Sequence, residues 1–315
     1  MKKLFQFILL SAALAVSSRA QTINQNFGTG ANAFTMDFAM IGNPGNAADT
    51  TGSPNPAGSV AYNYGLGMYE VSRDMINKAN AEGGLGITLL DMTNFGGNGV
   101  NRPATGTSWY EAAKFVNWLN TSTGYVAAYK FDASGNFQLW SSTDAGYNAN
   151  NRFRNSNARY WLPSTDEWYK GAFGSPNGTW FNYPTGSNTI PTSVAGGTSA
   201  NTAVYSRTSS SGPADITNAG GLSAYGTMGQ GGNVGEYTET EYDGVNNSTV
   251  DFREVRGGQW GVTLPTASSG ARSATSPTGE QNTIGFRVAT VPEPSALSLL
   301  AVALGGLAMM RRRRS

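Results

Sequence analysis

Neither cysteine nor histidine occurs among the 315 residues, so no disulfide and no thiolate- or imidazole-bound zinc can hold this chain together. Whatever it folds into must rest on buried apolar surface, hydrogen bonds and ion pairs alone. The same absence removes thiolate nucleophiles, imidazole bases and the usual ligands of copper and iron. Carboxylate chemistry, oxygen-ligated ions such as calcium, Lys or Tyr acid–base work, and binding without chemistry remain.

Both ends of the chain read as addresses. Lys2 and Lys3 precede an apolar run over 4–16, and Ser18-Arg19-Ala20 closes on small residues, the layout of a secretory signal over 1–20. At the far end Val291-Pro292-Glu293-Pro294 leads into an apolar stretch over 296–310, followed by Arg311, Arg312, Arg313 and Arg314. That stretch is short for a transmembrane helix, which needs about 20 residues, and approaches the length when counted from Val291. Four arginines would hold such a terminus in the cytoplasm and leave everything upstream outside. Pro292-Glu293-Pro294, one apolar span and the arginine cluster together resemble the PEP-CTERM sorting tail of Gram-negative bacteria. The resemblance implies, for residues 291–315, a membrane contact through the tail, processing by an exosortase-type partner, and export through the inner membrane to the cell envelope or beyond.

These ends distort the net charge of +1. They hold Lys2, Lys3, Arg19 and Arg311 to Arg314 but only Glu293 among the acids, so the remainder is acidic by about five charges. No basic patch points to nucleic acid.

Residues 21–59 read as an N-terminal lead-in and 60–290 as one domain, rich in Gly, Asn, Ser and Thr. Aromatic residues make up 11% of the chain, which argues for a packed, loop-rich domain rather than disorder. Ser108 and Glu111 form a capping box ahead of Trp109, Ala112, Ala113, Val116 and Leu119 at helical spacing, a stripe that predicts core packing. A second box at Ser164 and Glu167 follows Pro163, and a third helix is expected from Ser72 toward Asn80. Short strands are expected over 60–64, 254–256 and 285–289.

Five segments, in order, carry a second resemblance. They are Gly67-Met68-Tyr69-Glu70-Val71-Ser72; Thr107-Ser108-Trp109-Tyr110-Glu111-Ala112; Tyr160-Trp161-Leu162-Pro163-Ser164-Thr165-Asp166-Glu167-Trp168; Gly231-Gly232-Asn233-Val234-Gly235-Glu236-Tyr237; and Arg256-Gly257-Gly258-Gln259-Trp260 with Gly285-Phe286-Arg287-Val288-Ala289. Together they resemble the formylglycine-generating, sulfatase-modifying factor family. The resemblance implies a single α+β domain of low regular content, related in shape to C-type lectins. Read physically, Trp168 would bury one turn into its helix, while Arg256 and Arg287 suit either structural ion pairs or ligand contacts.

Active members of that family oxidise a substrate cysteine with two copper-holding cysteines after the Arg-Gly-Gly motif. Here Val262 and Ala267 fall at those places, so the resemblance implies neither copper nor formylglycine chemistry. It also implies two calcium sites. One would use Gly232, Val234 and Glu236, with Gly229 where an Asp or Asn ligand is usual and Gly235 in place of the usual Trp. The other would use Asn201, Thr202, Asp215 and Thr217.

The combined expectation is an exported, surface-anchored or secreted protein that serves as a non-catalytic binding or structural module. Exposed aromatics and amides would suit a glycan or peptide ligand. The competing expectation is a carboxylate-based hydrolase using Asp166 with Glu167, or Glu239 with Glu241.

Overall fold

The computed structural model describes residues 22–263 and 267–292. The signal over 1–20, Glu293, Pro294, the apolar span over 296–310 and Arg311 to Arg314 lie outside the described residues. No described helix is long and apolar enough to cross a membrane.

All three capping signals open helices. Ser72 accepts from Met75 N at the start of α1 (Arg73–Gly83), which ends at Gly84 in the left-handed region. Reciprocal boxes open α2 (Trp109–Ser122) at Ser108 and Glu111, and α3 (Thr165–Phe173) at Ser164 and Glu167. The stripe read from Trp109 to Leu119 is fully buried.

Strands are short. In chain order they are β1 (Thr22–Phe27), β2 (Phe34–Ile41), β3 (Tyr64–Gly67), β4 (Lys130–Phe131), β5 (Phe137–Gln138), β6 (Tyr160–Trp161), β7 (Thr192–Ser193), β8 (Thr202–Ala203), β9 (Gly235–Glu241), β10 (Arg253–Arg256), β11 (Ser273–Thr275), β12 (Ile284–Phe286) and β13 (Ala289–Thr290). They build a five-stranded sheet ordered β1-β2-β3-β13-β6, a four-stranded sheet ordered β11-β10-β9-β12, and two ribbons, β4-β5 and β7-β8. Strand β12 runs parallel to β9, and β13 is antiparallel to both its neighbours.

Three expectations are corrected. The lead-in expected over 21–59 contributes β1 and β2 to the five-stranded sheet, and Phe27, Phe34, Met36 and Phe38 enter the main core. From Phe34 to Phe38 alternate residues of β2 face that core, and Ala39 and Ile41 are buried in it as well. The strand expected over 60–64 begins only at Tyr64. The one expected over 285–289 is two strands in different sheets, parted by Arg287 and Val288.

Arg287 therefore sits where the chain crosses from one sheet to the other. Its side chain is fully buried and grips Glu236 of β9 with two bonds, Nε to Oε2 at 2.5 Å and Nη2 to Oε1 at 2.6 Å. It also donates to Gly67 O at the end of β3 and to Met228 O. Trp168 of α3 donates to Glu236 Oε2 at 2.7 Å, so one ion pair ties both sheets and a helix.

Glu70 lies beside this pair. Asn233 donates to its Oε1 at 2.9 Å, while Oε2 has no partner. Burial, reinforced by the charge of Glu236 and only partly opposed by Arg287 and Asn233, pushes its carboxyl up to about 7.

Two consequences follow from this buried centre. Arg287→Met leaves Glu236 charged and unpaired, and should lower the stability measured by chemical denaturation by about 3–5 kcal/mol. Glu70 favours its neutral form when folded, so its contribution is complete below the ordinary carboxyl range and is lost as pH rises through about 7. The thermal midpoint should fall across that window, and Glu70→Gln should flatten the fall; an unchanged slope in the variant refutes the assignment.

Candidate functional site

Two turns stack to make the site. After β10, Gly257 takes a positive φ of 94°, and a side chain there would meet Gln230 O at 2.8 Å. This close approach lets Gly232 N donate to Gly257 O at 2.7 Å and Trp260 N to Asn233 O at 3.0 Å. Trp260 is buried against Met92, Val204, Ala214 and Val234, which anchors the turn.

Beyond the turn, the chain borders a cleft of about 260 Å³ whose lining includes Val255, Gly258, Gln259, Val262, Gln281 and Thr283. Gly235 lies on the same wall, so the position where the resemblance places a Trp adds no indole here. Among the described residues the only charged one in the lining is Arg272, and its guanidinium is held by Glu254 Oε2 at 2.6 Å. The described lining contains amides, hydroxyls, aliphatic groups and backbone, but no carboxylate, lysine or aromatic ring.

The two positions that the resemblance assigns to cysteines part company. Val262 is half-buried on the cleft wall, and its carbonyl accepts from Ser206 N at 2.9 Å. Ala267 is fully buried and is not part of the lining. Neither side chain can ligate a metal or carry an electron, and the chain has no cysteine elsewhere.

The calcium ligands expected from the resemblance do not fit the ion. Both carboxylate oxygens of Glu236 are taken by Arg287 and Trp168, so a guanidinium stands where a cation would be needed. Gly232 and Val234 are buried in the turn beside that pair. Gly229 could not carry a ligand side chain, because its Cβ would stand 2.6 Å from Glu70 Oε1. Glu70 thus fills the space that an Asp or Asn would occupy.

For the second set, the fold brings the segments together through the bridges Gly197–Ala219 and Ala203–Gly220. The side chains are nevertheless engaged elsewhere. Asn201 Oδ1 accepts from Thr185 at 2.8 Å, and Thr202 Oγ1 donates to Ser199 O at 2.7 Å. Asp215 lies half-exposed, 3.8 Å from Arg102 Nε, and Thr217 borders a separate groove. One carboxylate already facing a guanidinium offers a divalent ion little charge.

The carboxylates proposed for hydrolysis do not converge on the cleft. Asp166 accepts from Gly58 N at 2.7 Å. Glu167 and Glu239, both fully buried, share Arg154, each at 3.4 Å. Burial would raise Glu167, but Arg154, Tyr62, Ser164 and Trp161 outweigh it and hold the carboxyl below its ordinary range. Burial raises Glu239 against the pull of Arg154. Glu241 instead faces Arg253 at the end of β9.

Sequence reasoning missed Glu70, Arg154 and Gln281. Glu70 stood inside one of the five recognised segments, while nothing local marked Arg154 or Gln281.

Comparison with known proteins accords with this geometry. Residues 32–291 match the sulfatase-modifying factor enzyme 1-like domain, and residues 290–314 match the PEP-CTERM protein-sorting motif. No curated protein matches the chain. Among solved structures, Treponema denticola variable protein 1 is similar with a TM-score of 0.61 at 19% identity, over 86% of this chain and 99% of that one. CarF gives 0.53 at 17% identity, over 87% and 99%. PvdO from Pseudomonas aeruginosa gives 0.53 at 15% identity, over 88% and 100%. At such identities the likeness is one of fold. The sorting motif marks an exported, envelope-targeted protein processed by an exosortase-type enzyme. Since the domain match spans most of the residues, including both stacked turns, the chain belongs to the sulfatase-modifying factor enzyme 1-like family.

Proposed function

We propose that this protein is a non-catalytic binding or structural module of the cell envelope or extracellular matrix. It is delivered by its signal and sorting tail, and stays anchored through the span over 296–310 until the tail is processed. The observation that carries this reading is Val262, an inert side chain on the wall of a cleft whose described lining holds no carboxylate, lysine or sulfur.

The lining also bears on the ligand. Stacking of sugars needs an exposed aromatic face, and the described lining has none. Amides at Gln259 and Gln281 beside glycine backbone suit the donors and acceptors of an extended peptide instead. The exposed tyrosines, Tyr62, Tyr125 and Tyr242, are not part of this lining.

The test is retention of the protein on immobilised unstructured peptides and, separately, on envelope polysaccharides. Wild-type protein should bind peptide, and Val262→Trp, which fills the cleft, should weaken binding by roughly tenfold or more with an unchanged melting midpoint. Binding that ignores Val262→Trp overturns the site. Copper-dependent conversion of a cysteine peptide to formylglycine overturns the non-catalytic reading altogether.

A further inference from the structure

Strands β9 and β10 are joined by a hairpin whose neck gathers three carboxylates. Tyr242 N donates to Phe252 O across the neck at 2.8 Å, which sets Asp243 and Asp251 on opposite sides of it. Glu241 is the last residue of β9. One carboxylate oxygen from each of the three lies within 4.8 Å of the others. With Val250 and Phe252 they border an open cavity of about 370 Å³.

Acidic side chains meet on many surfaces without holding anything, but Glu241 sets this group apart. Its side chain is fully buried. Oε1 accepts from Ser248 N at 2.7 Å and lies 3.5 Å from Arg253 Nη1, while Oε2 has no hydrogen-bond partner. Arg253 directs its other bonds to backbone, at Asp251 O and Ser248 O. Arg253 thus engages one oxygen of Glu241 and leaves the other, buried oxygen with no hydrogen-bond partner. Leaving such an oxygen unpaired is unfavourable, and a hard cation would satisfy it.

We propose that Glu241, Asp243 and Asp251 form a calcium site at the neck of the β9–β10 hairpin. Every donor is oxygen, as a hard divalent ion requires. Two ligands on opposite sides of a calcium ion, with bonds of roughly 2.3–2.6 Å, stand about 5 Å apart, which accommodates the observed spread. Magnesium demands near-octahedral geometry at shorter bonds, which two exposed aspartates on a turn do not impose. Three protein carboxylates with an open outer side leave positions for water, the arrangement of a low-affinity site filled by millimolar calcium outside the cell. The bound ion would clamp the two ends of the loop over 242–252. The site is separate from the Val262 cleft, so it stands or falls independently of the binding reading.

The experiment is thermal melting of the mature protein with millimolar calcium, with millimolar magnesium, and with EDTA. Calcium should raise the midpoint above its EDTA value, because it binds the folded hairpin and not the unfolded chain, and magnesium should not. The exposed double variant Asp243→Asn/Asp251→Asn should keep the EDTA midpoint and lose the calcium shift, with affinity down by roughly tenfold or more. Asp215→Asn should retain the shift. On wild-type protein, terbium emission excited through Tyr242 should be displaced by calcium. A wild-type midpoint insensitive to calcium, an equal response to magnesium, or a shift that survives in the double variant overturns the proposal.

Discussion

Burying a guanidinium is tolerable only when its charge is matched and its donors are occupied. Arg287 meets both conditions by drawing partners from the whole domain: the carboxylate of Glu236 in one sheet, Gly67 O at the end of a strand in the other, and Met228 O on the loop before the Gly-rich turn. The positions of β3, β9, β12, β13 and α3 are thereby specified together. An apolar residue at 287 could fill the volume, but it would not dictate which carbonyls must come to it. In a chain without cysteine or metal-binding histidine, this polar centre does the cross-linking that a disulfide or zinc ion does in other small exported domains.

The same centre explains what happened to the family's ligand positions. Glu236 keeps the residue type that the resemblance associates with calcium, yet its oxygens face Arg287 and Trp168. Gly229 lacks a side chain because Glu70 reaches into its place from a distant segment. A conserved-looking letter and a missing one thus lose their apparent meanings for one reason, a carboxylate and a guanidinium that already fill the space.

How much of this could be read from the sequence depends on how local the signal was. Ser72, Ser108 and Ser164 declare their helices because a cap and its partner lie within three residues of each other. Arg256 and Arg287 were legible as arginines in need of carboxylates, though not which ones: Glu254 lies two residues back on the same strand as Arg256, whereas Glu236 comes to Arg287 from β9. β1 was hidden because Thr22–Phe27 is mostly polar and gains its place only by pairing with β2. The cleft was half legible: the segment after Arg256 located Val262, but Gln281 and Thr283 reach the same wall from the far side of the sheet. Glu241, Asp243 and Asp251 are separated by a loop whose fold no spacing rule anticipates.

The place of β13 bears on the order of events in the life of the protein. Ala289 and Thr290 lie between β3 and β6, near the middle of a sheet whose other members come from the first 161 residues, and Val291 N is bonded to Arg159 O. Until those last residues arrive, β3 and β6 have no partner joining them and Arg287 is not there to be neutralised. The five-stranded sheet therefore cannot be completed until almost the whole domain has been made. The strand that completes it lies immediately before the sorting tail, so closure and delivery are set by neighbouring stretches of chain, and removal of the tail beyond Pro292 would leave the closing strand in place.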